Sequence, residues 1–210
     1  MQVGFSEDRH PSSTGIGNRL YLQRKKSPAQ RKGQSMTAQI DDKVLFEGET
    51  YSLVGFTGGD LVTAEQFGMK GVGAITSCWR GYYATYEIAD DLLYLREFFV
   101  FEENKNYLPI GGVLPKGGGS YSDLDLLIPF TGKIRIAKDF FRDCYVHMGF
   151  QHATAYATVV DLTLKDGQVL AVQDRSEEFA ARRGEFKKRF ESGDPVQGIV
   201  EAFSLEFDPE

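Results

Sequence analysis

The sequence is poor in the features that mark several large classes of protein. It has only two cysteines, too few for a disulfide framework, and nothing in it resembles a secretion signal. Apolar runs stay well short of the roughly 18 residues that a membrane-spanning helix needs. It has three histidines and two cysteines, so a metal centre has few candidate ligands. We therefore expect a protein of the reducing cytoplasm, with no membrane association.

What the chain does contain indicates a folded core. Hydrophobic residues make up 41% of the 210 residues, and 16 Phe and 10 Tyr supply more apolar surface than a disordered chain carries. This length is typical of one domain or one closely joined pair.

Charge is distributed unevenly along the chain. Residues 1–35 hold seven basic and two acidic side chains, whereas residues 36–210 hold 17 basic and 28 acidic ones. The first segment lacks hydrophobic periodicity, which predicts a disordered basic tail or an extension upstream of a start at Met36. The alternative is an arm that binds nucleic acid or another anionic surface. Because the remaining body is acidic, we expect no nucleic acid as its main partner.

Patterns of period two predict a single β-rich domain over residues 36–210. Lys43–Phe46 and Tyr51–Gly55 flank a turn at Glu47-Gly48-Glu49, and Asp166-Gly167 is a strong hairpin signal. The alternation from Tyr82 to Ile88 predicts a strand that Asp90-Asp91 turns into a second strand at Leu92–Phe101. A helix near residues 176–191 is predicted by the Ser176 cap and the acidic residues that follow it. The expected fold class is mainly β (α+β), with short helices and one C-terminal helix, and an alternating segment at residues 203–207 predicts a closing strand.

Two tripeptides recur at nearly the same offset. Phe56-Thr57-Gly58 reappears as Phe130-Thr131-Gly132, and Tyr83-Ala84-Thr85 reappears as Tyr156-Ala157-Thr158. This indicates an internal duplication of residues 56–101 and 130–173 as two related antiparallel β-rich halves. In that case, the Phe-Thr-Gly turns occupy equivalent positions, and residues that differ between the halves are the better functional candidates.

The candidate ligand-binding residues combine aromatic, charged and imidazole side chains. An aromatic wall with an arginine is typical of a pocket for a carboxylate or phosphate, whereas the structural alternative is a core tryptophan and an arginine paired with an acid such as Glu87. The full set is Trp79, Arg80, Tyr82, Glu87, His147 and His152.

A metal site is a further hypothesis. Cys144 and His147 have a C-x-x-H spacing, with His152 five residues on, but Cys78 has no second ligand close to it. The alternative is a buried cysteine and a hydrogen-bonded histidine. We assign no catalytic residue, no metal ligand and no cofactor.

Two resemblances are present. Ile128-Pro129-Phe130-Thr131-Gly132, followed by residues 136–140 and 145–150, resembles a family of uncharacterised bacterial β-rich proteins over most of residues 40–175 and implies no activity. Trp79-Arg80-Gly81-Tyr82 resembles the W-x-G opening strand of lipocalin-like barrels, although a strand pair precedes it here.

Three functional hypotheses follow. The first is a non-catalytic, immunity-type interaction module whose acidic surface meets a basic protein partner. The second is a small-molecule-binding protein or enzyme with a cleft between the halves, for which a lipocalin-like barrel is one form. The third is a Cys/His metal-binding protein.

Overall fold

Strands dominate the secondary structure of the computed structural model, which describes residues 38–147, 149–192 and Leu205. The predicted tail therefore lies outside the described residues, as does the predicted strand at residues 203–207 apart from Leu205. The described residues form nine strands and one α-helix: β1 Lys43–Phe46, β2 Glu49–Thr57, β3 Tyr82–Ala89, β4 Leu92–Val100, β5 Ser120–Tyr121, β6 Leu126–Leu127, β7 Gly132–Phe140, β8 Tyr156–Lys165, β9 Gln168–Asp174 and α1 Ser176–Ser192. The expected mainly β fold class is confirmed.

The sheet closes on itself. Its strand order is β3-β1-β2-β7-β8-β9-β4, and β4 pairs in turn with β3, which completes a ring. The ring closes between β4 and β9 through few contacts. Leu92 pairs with Gln168, the Val169 amide donates to the Asp91 carbonyl at 2.8 Å, and the Leu93 amide donates to the Gly167 carbonyl at 2.9 Å. The sheet is mixed, because β1 and β3 run parallel.

The core fills the inside of this ring. In β1–β4, β7 and β8, alternate residues face inward, among them Val44, Leu53, Tyr86, Leu95 and Ile136, each at most 1% exposed. A second, smaller apolar cluster lies on the opposite face of β7 and β8. There α1 packs Phe179 against Ala137, Ala153, Ala155, Tyr156 and Val159.

The repeated Phe-Thr-Gly tripeptides do not occupy equivalent positions. The first ends β2 and the second begins β7, and these two strands are antiparallel neighbours. A Cβ on Gly132 would lie 1.9 Å from the Thr57 carbonyl oxygen, and a Cβ on Gly58 would lie 2.4 Å from the Thr131 carbonyl oxygen. Strand order around the tripeptides also differs, since β7 pairs directly with β8 whereas β1 separates β2 from β3. Both glycines are explained by this mutual close approach, and the strands next to the two tripeptides are connected in different orders.

Candidate functional site

The outer face of the β3–β4 hairpin carries a row of aromatic and polar side chains. Tyr83 and Phe99 are directly opposite in the register, and their rings stack with centroids 4.9 Å apart at 14°. Phe101 meets Phe99 edge-on at 4.7 Å. All three rings are half-buried, so this face exposes part of an aromatic surface to solvent.

A β-bulge directs Glu97 onto the same face. Thr85 pairs with Glu97 and Tyr86 with Leu95, which leaves Arg96 without an opposite residue. The extra residue places Arg96 and Glu97 side by side on the outside, while Leu95 and Phe98 both remain buried. In a regular strand, successive side chains alternate between the two faces, so one of the two would point into the core.

These strands and β5 together shape a shallow pocket. Its volume is about 140 Å³. It is lined by Tyr83, Thr85, Glu97, Phe98, Phe99, Ser120, Tyr121 and Ser122. Ser120 is the register partner of Phe99, so three strands contribute neighbouring residues to the site.

Glu97 is the charged group of this pocket. The Thr85 hydroxyl donates to its Oε2 at 3.0 Å. Among the described residues, no Lys, Arg or His makes an ion pair with it, whereas nearby Glu87 accepts from Arg96 Nε at 2.6 Å. The pKa of the Tyr83 hydroxyl is raised, chiefly by burial and to a smaller extent by the nearby Cys78 and the Glu97 carboxylate. The pocket therefore combines flat apolar rings with an uncompensated negative charge.

Arg80 belongs to a buried ion pair on the other side of β3. Its Nη2 and Nη1 donate to the two carboxylate oxygens of Asp42 at 2.9 and 3.3 Å, and the Ala84 amide donates to the same carboxylate at 2.9 Å. The guanidinium also lies 5.0 Å from the ring centroid of Tyr82 and 5.5 Å from that of Phe150. Burial raises the pKa of Asp42 despite the guanidinium, and it raises the pKa of Tyr82 to about 12. The acid that pairs with Arg80 is thus Asp42 and not Glu87.

The other predicted candidates are only partly brought together. Phe150 lies between His147 and His152 in the sequence, and its ring contacts the Arg80 guanidinium. The backbone amide of Gln39 donates to the Gly149 carbonyl at 3.1 Å and so also holds this segment. His147 is exposed and His152 is half-buried. Trp79 is 51% exposed, so it is not a core anchor. Glu87 lies further along β3 and belongs to the Arg96 ion pair.

The two cysteines are free thiols, with Cys78 buried and Cys144 half-buried. Burial raises the pKa of the Cys78 thiol. No group of three or more His, Cys, Asp or Glu side chains within the described residues has a geometry that would hold a metal ion. Across the same residues, no helix is long and apolar enough to cross a membrane.

Comparison of the chain with protein-family models, curated proteins and solved structures found no match. The functional argument therefore depends on the residues of the site itself.

Sequence reasoning missed Glu97, Phe99 and the bulge that positions them. The sequence of β4 gives no clear signal, because apolar residues occupy both odd and even positions before and after Arg96-Glu97. The switch is seen only in burial, which moves from Leu93 and Leu95 to Phe98 and Val100, as a single inserted residue produces.

Proposed function

We propose that this chain is a non-catalytic interaction module that binds a basic protein partner through the pocket on the outer face of β3 and β4. The observation that carries the proposal is Glu97, a carboxylate without a cationic partner among the described residues, set between the Tyr83–Phe99 stack and three hydroxyl groups. A cationic side chain over an aromatic face is attracted by the ring and gains further from an adjacent carboxylate.

The size of the pocket supports a side chain rather than a free small molecule. Sites for drug-sized ligands and cofactors occupy roughly 300–1,000 Å³. This pocket has about 140 Å³, and packed side chains fill the inside of the ring. A partner would therefore insert one residue and add contacts around it.

The state of the buried charged groups supports binding rather than catalysis. Asp42 is paired with Arg80, and Asp161 accepts from Arg135 at 2.6 and 2.7 Å and from Arg175 at 3.2 Å. A general acid or base needs access to a substrate proton, and these carboxylates are already occupied. The excess of acidic groups in residues 36–210 would steer a basic partner toward the body. We place the interaction in the reducing cytoplasm, since both cysteines are free thiols.

The test uses the full chain and two short acetylated, amidated peptides, one with a single lysine and one with a single arginine between glycines. We expect both to bind weakly and to shift the NMR signals of Tyr83, Phe99 and Glu97. Glu97→Gln should weaken binding by roughly tenfold, because the carboxylate charge is lost. Glu47→Gln is the matched control, since it removes the same charge from an exposed turn on another part of the sheet.

Two results would contradict the proposal. If the two substitutions weakened peptide binding equally, binding would depend only on the net charge of the protein and not on the pocket. Binding that leaves the signals of the pocket unchanged would place the interaction elsewhere.

A further inference from the structure

The structure points to arginine, rather than lysine, as the side chain that this pocket accepts, and we propose it as an arginine-recognition site. This inference rests on the proposed function and specifies the chemistry of the partner residue. Its basis is an arrangement that the chain builds repeatedly from its own residues: a guanidinium paired with a carboxylate and lying over an aromatic ring.

The nearest example is on the same hairpin. Arg96 Nε donates to the Glu87 carboxylate at 2.6 Å, and the guanidinium carbon lies 4.7 Å from the centroid of the Tyr94 ring. Glu87 and Tyr94 are register partners on β3 and β4. One cross-strand pair thus supplies the carboxylate and the ring, and the arginine fills the space beside them.

The same arrangement recurs at two buried places. Arg80 pairs with Asp42 through two nitrogens and lies over Tyr82 at 5.0 Å. Arg135 pairs with Asp161 through two nitrogens and lies over the Phe179 ring at 4.5 Å. In both cases the guanidinium donates to the carboxylate through two nitrogens while its central carbon lies over an aromatic ring, and the fixed fork of an arginine suits this combination better than an ammonium group does.

The pocket presents two of these three components. Glu97 supplies the carboxylate, and the Tyr83 ring lies on β3 two residues before Thr85, the register partner of Glu97. Diagonal cross-strand neighbours are about 7–8 Å apart, which leaves room for a guanidinium between them. The hydroxyl groups of Thr85, Ser120 and Ser122 provide acceptors for the N–H groups that Glu97 does not take.

The chain also places a lysine beside a carboxylate and a ring. Lys138 forms an ion pair with Glu49, and its Nζ lies 5.4 Å from the centroid of the Tyr51 ring, within the range of 4.5–5.5 Å found for the guanidinium groups of Arg80, Arg96 and Arg135, so the distinction between the two cations rests on donor geometry. An ammonium has three N–H donors and no plane to stack on the ring. A pocket of flat rings and several acceptors therefore favours arginine.

The experiment compares three acetylated, amidated Gly-X-Gly peptides in which X is arginine, lysine or citrulline, the neutral isostere of arginine. Dissociation constants are measured by NMR titration of the full chain and of its Glu97→Gln and Tyr83→Leu variants, whose folding is checked from their amide spectra. We expect the arginine peptide to bind about tenfold more tightly than the lysine peptide and the citrulline peptide to bind more weakly than either. Tyr83→Leu should remove most of the preference for arginine, and Glu97→Gln should weaken both charged peptides.

The outcomes separate this inference from the proposed function. Equal affinities for arginine and lysine, both reduced by Glu97→Gln, would overturn the arginine assignment and leave the interaction with a basic partner standing. Citrulline bound as tightly as arginine would overturn the assignment because the charge would play no part. If neither charged peptide binds at the pocket, both proposals are wrong.

Discussion

Asp42 is a carboxylate whose buried environment differs strongly from that of a free side chain. Its carboxylate is buried, and burial raises its pKa even though Arg80 and the Ala84 amide oppose the change. Arg80 is 23% exposed at its side chain, so one partner of the ion pair retains some contact with water. Removing one member of such a pair leaves the other charge buried without compensation.

We predict that Arg80→Ala lowers the free energy of unfolding by about 3–5 kcal/mol at neutral pH. Because the pKa of Asp42 is raised in the folded state, this state binds more protons than the unfolded state at pH values between the two pKa values. Stability contributed by protonation of Asp42 therefore increases as the pH falls toward the unfolded value of 3.8. Arg80 lowers the pKa of Asp42, so its removal raises that pKa further and the variant gains more stability on acidification than the parent does. The deficit of the variant should therefore be smaller at pH 5 than at pH 7.

Urea unfolding at the two pH values measures this effect. Trp79→Ala is the control, since it removes a neighbouring side chain that is 51% exposed. An Arg80→Ala variant as stable as the parent would show that Asp42 does not depend on this arginine.

At the scale of elements, the sequence predicts those strands whose turns are local. The β1–β2, β3–β4 and β8–β9 hairpins follow from alternation and from the turn residues between the strands, and all three are found. Strand β7 was missed, although Ile134 and Ile136 alternate with Lys133 and Arg135. Its pairing with β2 joins segments far apart in the chain, and a long connection rather than a tight turn leads from it to β8, so local patterns do not specify either partner.

The start of α1 was predicted, but the residue that caps it was not. The Ser176 backbone amide donates to Asp174 Oδ1 at 2.8 Å, whereas the Ser176 hydroxyl accepts a hydrogen bond from the Val159 amide at 3.1 Å. Arg175 then links the first turn to the sheet, since it pairs with both Asp161 and Glu178. The role of Ser176 in contacting β8 depends on tertiary structure and was not accessible from the sequence.

We predict that acidification loosens the first turns of α1 before the sheet unfolds. Hydrogen bonds from Ser176 lower the pKa of Asp174, and the hydrogen bond from Arg175 lowers the pKa of Glu178. Stability from a lowered carboxylate pKa is present above the unfolded values of 3.8 and 4.5 and is lost as the pH falls through the folded values. The helical Cα chemical shifts of residues 177–182 should therefore decline on acidification from pH 5.

The double variant Asp174→Asn, Glu178→Gln tests the cause of this change. Its Cα shifts over residues 177–182 should already be less helical at pH 6 and should change little with further acidification. Shifts of the parent that stay constant until the β-strand signals also change would rule out separate loosening of the helix.

At the scale of the whole molecule, closure of the sheet could not be foreseen. Composition and period-two patterns predicted the mainly β class, but the parallel β1–β3 pair and the β2–β7 pair that complete the ring join distant segments. The sequence repeat suggested two halves, and the structure instead places the two Phe-Thr-Gly tripeptides against each other. The candidate pocket was missed for a related reason, since it needs β5 beside β4 as well as the bulge.

Gly132 tests how much the ring depends on this close approach. A methyl group at Gly132 would lie 1.9 Å from the Thr57 carbonyl oxygen and 2.9 Å from the Phe130 ring, so β2 and β7 would have to separate. We predict that Gly132→Ala lowers the free energy of unfolding by roughly 3 kcal/mol. Gly48→Ala is the matched control, because Gly48 has a φ of +78° with no atom within 4 Å of the added methyl group, and it should cost about 1 kcal/mol from backbone strain alone. Thermal unfolding measures both changes, and the midpoint temperature should fall by about 2–4 °C for each kcal/mol lost in a domain of this size. Equal midpoints for the two variants would mean that the β2–β7 junction relaxes without cost, and that the closed ring tolerates separation of its strands at this point.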